Sequence, residues 1–386
     1  MSLLCFSQIC VIMIQMKKTF VFAGGGTGGH IFPGLAVADE LRTIASEHGE
    51  EVQIVWLGNS GGMDRDIVQK SGSVDLFYGI PSGKLRRNFS LRNFIDLFKI
   101  AAGVFVSLFR LAKIKPVVLF SKGGFVSVTP CIAARILGIP VYTHECDFTP
   151  GLATKINSRF ATKILVSYEA TKQFLSAARR EKSVVTGNPV RPVFYQANPE
   201  NGKNFLFGEA RPQKPILLVM GGSLGAHQVN TLVQENLDWL CEHFCVVHQT
   251  GRADEAMTQI QHEGYHPYAF IYREMCDVIS AADVVLSRAG ANSIWECAVL
   301  AKPMVLIPLC GSGTRGDQVD NAKYFVGQNA ALMLLGAEAD STHLREALSR
   351  MESAEFRRTC TESCRKMTEG KRPAREIAQI VYGNGQ

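Results

Sequence analysis

Two glycine-rich turns of nearly the same design stand about half a chain apart. They are Phe20-Val21-Phe22-Ala23-Gly24-Gly25-Gly26-Thr27-Gly28-Gly29-His30 and Leu217-Leu218-Val219-Met220-Gly221-Gly222-Ser223-Leu224-Gly225-Ala226-His227. In each, an apolar strand-like run ends in glycines that let the backbone turn sharply, and a helix then starts with unpaired N–H groups beyond the strand end. Such a turn favours an anionic ligand. A pair of them predicts two α/β domains whose ligand-binding edges face one another across a cleft.

The rest of the chain follows the same plan. Strands are expected at 18–23, 52–57, 74–78, 116–120, 139–143 and 163–167, and again at 215–220, 244–248, 268–272, 283–286, 304–307 and 331–334, with room for a helix between successive strands. That is the pattern of two parallel, doubly wound sheets. The first domain is expected over 16–190 and the second over 191–365, with residues 195–214 as linker and the helical segment 366–386 crossing back onto the first domain. A length of 386 residues suits two cores.

Net charge is +6, which suits an anionic substrate or a membrane surface but falls short of a nucleic-acid binder's footprint. Eleven cysteines without a C-x-x-C pair argue against a disulfide framework and for a reducing, cytoplasmic compartment. Residues 1–15 read as an N-terminal extension. The apolar stretch Ile9 to Ile14 has no basic region before it, so no secretory signal is expected.

Residues 83–116 stand apart. Leu91, Phe94, Ile95, Phe98, Ala102, Phe105 and Phe109 recur at helical spacing amid Lys84, Arg86, Arg87, Arg92, Lys99, Arg110, Lys113 and Lys115. The uncharged run 100–109 is far short of the ~20 residues a membrane span needs. Two readings stay open: a basic helix lying on an anionic membrane surface, with contacts from Arg86, Arg87, Arg92, Phe94 and Phe98, or amphipathic helices packing their phenylalanines into the core.

The ordered set Gly-Gly-Thr-Gly-Gly-His30, Ser121-Lys122-Gly123-Gly124-Phe125, His144-Glu145, Gly187-Asn188-Pro189-Val190-Arg191, Gly221-Gly222-Ser223, Ser287-Arg288-Ala289-Gly290 through Glu296, and Gln318-x-x-Asn321-Ala322 resembles the MurG family over roughly residues 16–380. The resemblance implies a GT-B glycosyltransferase fold, two Rossmann-like doubly wound domains facing a cleft. It implies an inverting, metal-independent hexosyltransferase that moves N-acetylglucosamine from UDP-N-acetylglucosamine to the undecaprenyl-linked muramyl-pentapeptide called lipid I, giving lipid II. No cofactor is expected. The partners implied are those two substrates, the anionic cytoplasmic face of the bacterial membrane, where the protein would be peripheral, and cell-wall and division assembly proteins, with no nucleic acid.

The resemblance also places residues. Glu296 would accept hydrogen bonds from the ribose hydroxyls. Ser223 and its turn would take the pyrophosphate, aided by Arg191 as a cation for the departing UDP. Tyr272 matches a position whose main chain pairs with uracil. Gln318 and Asn321 would meet the sugar hydroxyls under a mobile loop, Gly311 to Gly316. Arg288, Ala291, Asn292 and Ser293 complete the donor side, and Thr27, Gly28 and Gly29 the acceptor side. Inversion calls for in-line attack by an acceptor hydroxyl and a base to take its proton. His30 is the first candidate, because imidazole titrates near working pH; Glu145 is the second, or else a carboxylate paired with His144.

Departures fall in the acceptor half. The usual His-Glu-Gln-Asn is here His144-Glu145-Cys146-Asp147, and Thr154 replaces another asparagine. An ionised Asp147 could serve as a base but would also repel a diphosphate. No metal is expected: Asp64-Arg65-Asp66 reads as acids complementing a helix dipole. The turn Gly25-Gly26-Thr27-Gly28-Gly29 is not a spaced G-x-G-x-x-G, against a nicotinamide oxidoreductase. Another GT-B enzyme, such as a glycolipid transferase or an epimerase, and a non-catalytic nucleotide-sugar-binding protein remain as alternatives.

Overall fold

A computed structural model describes residues 17–84, 91–222, 225–311 and 313–384, apart from the side chains of residues 91–94 and 255. The first sheet contains β1 (Lys18–Ala23), β2 (Val52–Asn59), β3 (Leu76–Ile80), β4 (Val118–Ser121), β5 (Val141–Glu145), β6 (Lys163–Val166) and β7 (Ser183–Val185), in the order β3-β2-β1-β4-β5-β6-β7. The second contains β8 (Ile216–Met220), β9 (Cys245–Gln249), β10 (Tyr265–Tyr268), β11 (Val284–Ser287), β12 (Met304–Leu306) and β13 (Ala331–Met333), in the order β10-β9-β8-β11-β12-β13. The pairings are parallel, and helices cover both faces, so the strands are continuous apolar runs rather than alternating ones.

Both sheets wind outward in two directions from one strand. β1 pairs with β2 on one side and β4 on the other, and β8 pairs with β9 and β11. The crevice beyond the carboxyl end of such a strand is where doubly wound sheets bind ligands. Each glycine-rich turn leaves from that strand, so the sheet order places both turns at the two switch points.

Three expectations need correction. The 195–214 linker contains the helix Pro199–Phe207, with proline at its first position and Asn198 accepting from the Glu200 N–H at 2.9 Å. β10 lies at Tyr265–Tyr268 rather than 268–272. Residues 366–386 are not one helix. Helix Ala354–Thr368 ends before Gly370, whose φ of +68° reverses the chain, and a new helix, Pro373–Gly383, starts behind a proline. That last helix does cross back: Ile377, Ala378, Val381 and Tyr382 share a core with Phe20, Phe22 and Leu41, and Arg375 reaches Glu47 at 2.6 Å.

Helix Leu91–Ile114 buries Ser107 and Leu111 but leaves Phe98 66%, Phe105 74% and Phe109 68% exposed. The phenylalanines described are therefore not core residues. Arg86 and Arg87, and the side chains of Arg92 and Phe94, lie outside the described residues. No helix among the described residues is long and apolar enough to cross a membrane.

Candidate active site

The first turn is built around a buried acid. Gly26 donates its N–H to Asp64 Oδ1 at 2.9 Å and Asn59 to Oδ2 at 2.8 Å. Asp64 does sit in the first turn of its helix, as the dipole reading expected, but its carboxylate also pins the glycine turn. Its pKa is raised by burial and held down by those two N–H groups. Gly25 must be glycine here, since a Cβ would stand 1.8 Å from Asp64 Oδ2. Gly28 and Gly29 then open helix Gly28–Glu47, whose first N–H groups have no helical partner.

Beside this turn is a pocket of about 300 Å³ lined by Thr27, His30, Lys122, Gly124, Asp147 and Arg315, among others. Burial first, and then the Lys122 charge, lower the His30 pKa to about 4, so its imidazole is neutral at working pH. Its Nδ1 has no well-formed hydrogen bond among the described residues, the backbone of Lys122 being its polar neighbour. Gly124, at φ +74°, lets the backbone pass the ring; a Cβ there would be 2.8 Å from its Cδ2.

Glu145 does not pair with His144. Its two oxygens accept from the N–H groups of Asp147 at 3.0 Å and Gly151 at 2.9 Å, while His144 Nε2 bonds the Gly187 carbonyl at 2.9 Å. Glu145 thus shapes the loop after β5. Asp147 bridges the cleft: its Oδ2 meets Arg315 Nη2 at 2.7 Å and its Oδ1 accepts from Asn321 Nδ2 at 3.1 Å. Burial and the Glu145 charge raise the Asp147 pKa, opposed by Arg315. Thr154 is buried at the pocket wall. Glu145, Cys146 and Asp147 offer three potential metal ligand atoms within 4.8 Å of one another. They fit a cation poorly, because both Glu145 oxygens are held by N–H groups, burial pushes the Cys146 thiol up to about 12, and Asp147 is paired with an arginine.

In the second half, Ser223 lies outside the described residues, but the flanking Gly222 and Gly225 have φ of +92° and +85°. Ala291, Asn292, Ser293 and Glu296 share helix Ala291–Val299, directly after β11. Glu296 is desolvated enough to raise its pKa to about 7 despite Arg191, whose Nη2 is 3.7 Å away. The residues assigned to ribose and diphosphate are therefore neighbours. Arg191 also lies over the rings of Phe194 and Phe32 at 4.9 and 5.4 Å. Arg288 bonds Gln228 and the Ile307 carbonyl, and Gln318 Oε1 accepts from the Leu309 N–H. Asn321 is wholly buried and joins the halves, accepting from the Phe148 N–H at 2.9 Å. Tyr272 is half-exposed.

The second half meets the first glycine turn through the helix after β11. Asn292 Nδ2 donates to the Gly29 carbonyl at 3.0 Å and its Oδ1 accepts from Asn188 at 3.2 Å, bringing the donor-side helix onto the first glycine turn. Residues 20–166 match the glycosyltransferase family 28 N-terminal domain and residues 216–378 its C-terminal domain. The chain belongs to glycosyltransferase family 28. Similar proteins include the UDP-N-acetylglucosamine--N-acetylmuramyl-(pentapeptide) pyrophosphoryl-undecaprenol N-acetylglucosamine transferases of Treponema denticola, 52% identical with 83% of this chain and 85% of the relative covered, and of Treponema pallidum, 45% identical with 86% and 87% covered. In fold it is similar to Acinetobacter baumannii MurG, with a TM-score of 0.70 at 23% identity over 95% of this chain and 99% of that one.

Within the family 28 scaffold, sequence reasoning missed Lys122 and Arg315 as pocket residues. Lys122 stood in a quoted motif and Arg315 in a loop expected to be mobile, but neither signals a contact across the cleft.

Proposed function

We propose that this chain is the N-acetylglucosaminyl transferase that joins the sugar of UDP-N-acetylglucosamine to a lipid-linked, diphosphate-bearing muramyl-pentapeptide. The observation that carries the reading is a glycine turn at the switch point of each sheet, with the helix after β11 meeting the first turn, in a chain 52% identical to a transferase of that name. The second half takes the donor. Glu296 accepts the ribose hydroxyls, the turn at Gly221–Gly225 faces the diphosphate, and Arg191 stabilises the charge that builds on departing UDP. The pocket beside the first turn takes the acceptor's diphosphate.

Reaction is a single in-line displacement with inversion at the anomeric carbon. The acceptor hydroxyl attacks, the bond to the UDP oxygen breaks, and neutral His30 accepts the hydroxyl proton. With a pKa of about 4 His30 is a weak base in the free protein. An incoming diphosphate offsets the Lys122 charge and raises that pKa toward working pH. Charge stabilisation by turns and arginine leaves no step that calls for a metal. The protein works at the cytoplasmic face of the bacterial membrane, a reading supported by the exposed Phe98, Phe105 and Phe109.

The test is transfer of radiolabelled N-acetylglucosamine to the lipid-linked acceptor, with and without chelator. Transfer that a chelator leaves unchanged is expected. Binding of UDP-N-acetylglucosamine without transfer would overturn the reading in favour of a nucleotide-sugar-binding protein.

A further inference from the structure

The pocket beside the first turn contains a charge that the fold does not answer. Lys122 is 1% exposed, yet its Nζ has no hydrogen-bond partner among the described residues beyond the thiol of Cys146, and no carboxylate bonds it. Its surroundings are the imidazoles of His30 and His144 and the thiol of Cys146, each of which feels its charge. An unpaired ammonium out of water costs several kcal/mol. Lys122 lines the 300 Å³ pocket together with Thr27 and Gly26, so an anion entering there would meet the ammonium.

A second cation comes from the other half. Arg315 stands on the loop before helix Asp317–Gly327, which belongs to the second sheet, but it lines the same pocket in the first half. Its Nη2 is held by Asp147 at 2.7 Å and Asp317 at 3.3 Å. Its Nη1 lies close over Gly151, where a Cβ would be 2.6 Å away. Neither Nη1 nor Nε has a hydrogen bond among the described residues. A guanidinium has five N–H donors, so one edge is fixed by carboxylates while the others stay available. Asn321 in turn fixes Asp147 from the side, at 3.1 Å.

We infer that Lys122 and Arg315, one from each half, form a cation clamp for the acceptor's diphosphate, and that Asp147 is the positioning residue that holds Arg315 in the clamp. This rests on the reading of the first-half pocket as the acceptor site. It accounts for a carboxylate at position 147: the charge that would repel a diphosphate is matched by Arg315, and its function is to aim that arginine. It also gives the acceptor site a part supplied by the loop that adjoins Gln318, so the acceptor site is complete only when the two halves are together.

The experiment titrates the full chain with inorganic pyrophosphate in the presence of saturating UDP, titrates UDP separately, and measures KM for both substrates. Lys122→Met, Arg315→Gln, Arg315→Lys and Asp147→Asn are compared with wild type. Lys122→Met removes a buried charge and is expected to melt no lower than wild type, whereas Arg315→Gln leaves the buried Asp147 without its cation and is expected to melt lower, with retained UDP affinity as the check that it is folded. Pyrophosphate affinity and acceptor KM should each worsen at least tenfold in Lys122→Met and Arg315→Gln. Asp147→Asn should show a smaller loss, Arg315→Lys should recover part of it, and UDP affinity and donor KM should stay within twofold. Unchanged pyrophosphate binding in Lys122→Met and Arg315→Gln, or a loss of UDP affinity in place of it, would overturn the clamp. If wild type binds pyrophosphate in this pattern but transfers no sugar, the functional reading fails and the clamp stands.

Discussion

Replacing Glu296 by glutamine separates what that carboxylate costs the fold from what it contributes to binding. Its side chain is 19% exposed, and burial raises its pKa from 4.5 to about 7, with Arg191 opposing. A carboxyl with a raised pKa binds its proton more tightly in the folded state, so folding stability falls as pH rises from 4.5 through 7. The shift of about 2.5 units corresponds to about 3 kcal/mol, at 1.36 kcal/mol per unit, fully developed above pH 7. Glutamine resembles the protonated carboxyl, beside which Arg191 also has no charged partner, so the attraction of Arg191 is already contained in the net shift. Glu296→Gln should therefore match wild type in unfolding free energy near pH 4.5 and exceed it by about 3 kcal/mol at pH 8. UDP affinity should fall about 10- to 100-fold, the worth of a charge-assisted hydrogen bond to a diol. Chemical unfolding at a series of pH values, with parallel titration of UDP, reads both. A stability difference that does not change with pH, or a variant less stable at pH 8, would refute the desolvated carboxyl; unchanged UDP affinity would remove Glu296 from the donor site.

Other outcomes follow from the same structure. Because His30 is lowered to about 4 in the free protein, the acid limb of kcat/KM should fall near pH 4 to 5 while that of kcat lies higher; a kcat/KM limb at 6.5 would contradict the buried, Lys122-facing imidazole. His30→Ala should lower kcat by 10²- to 10⁴-fold with donor KM little changed, as measured by initial rates. Gly25→Ala should destabilise the first half by several kcal/mol through the clash with Asp64, seen as a lower melting temperature. Replacing Arg86, Arg87 and Arg92 by glutamate should release the protein from anionic vesicles in a sedimentation assay; sedimentation equal to wild type would count against the membrane-facing segment.

Much of the fold was legible because parallel sheets covered on both faces leave long apolar runs, and glycine turns mark the switch-point strands. β1 was expected at 18–23 and found at Lys18–Ala23, whereas β7, only Ser183-Val184-Val185, carries too little pattern to stand out. β10 was misplaced because the apolar stretch 268–272 continues beyond the strand as a loop, pinned where Ile271 donates its N–H to Gln249. The helix Pro199–Phe207 was hidden by Pro, Asn and Gly that read as linker, although Asn198-Pro199 is itself a helix start. In the site, motif residues on single elements, such as Asn292 and Glu296 one turn apart on one helix, were picked out through the family resemblance that their motif carries. Contacts that tie distant segments were not: Asp64 on Gly26, Glu145 on Gly151, and Asp147 on Arg315 depend on how the loops after three strands converge.

The central claim is that the two glycine turns divide the substrates, donor to the second half and acceptor to the first. A crystal structure of the protein with UDP tests this most directly. The account predicts the ribose hydroxyls within hydrogen-bond distance of Glu296, with the diphosphate against the turn at Gly221–Gly225. A nucleotide seated instead against His30 and the first turn would contradict it.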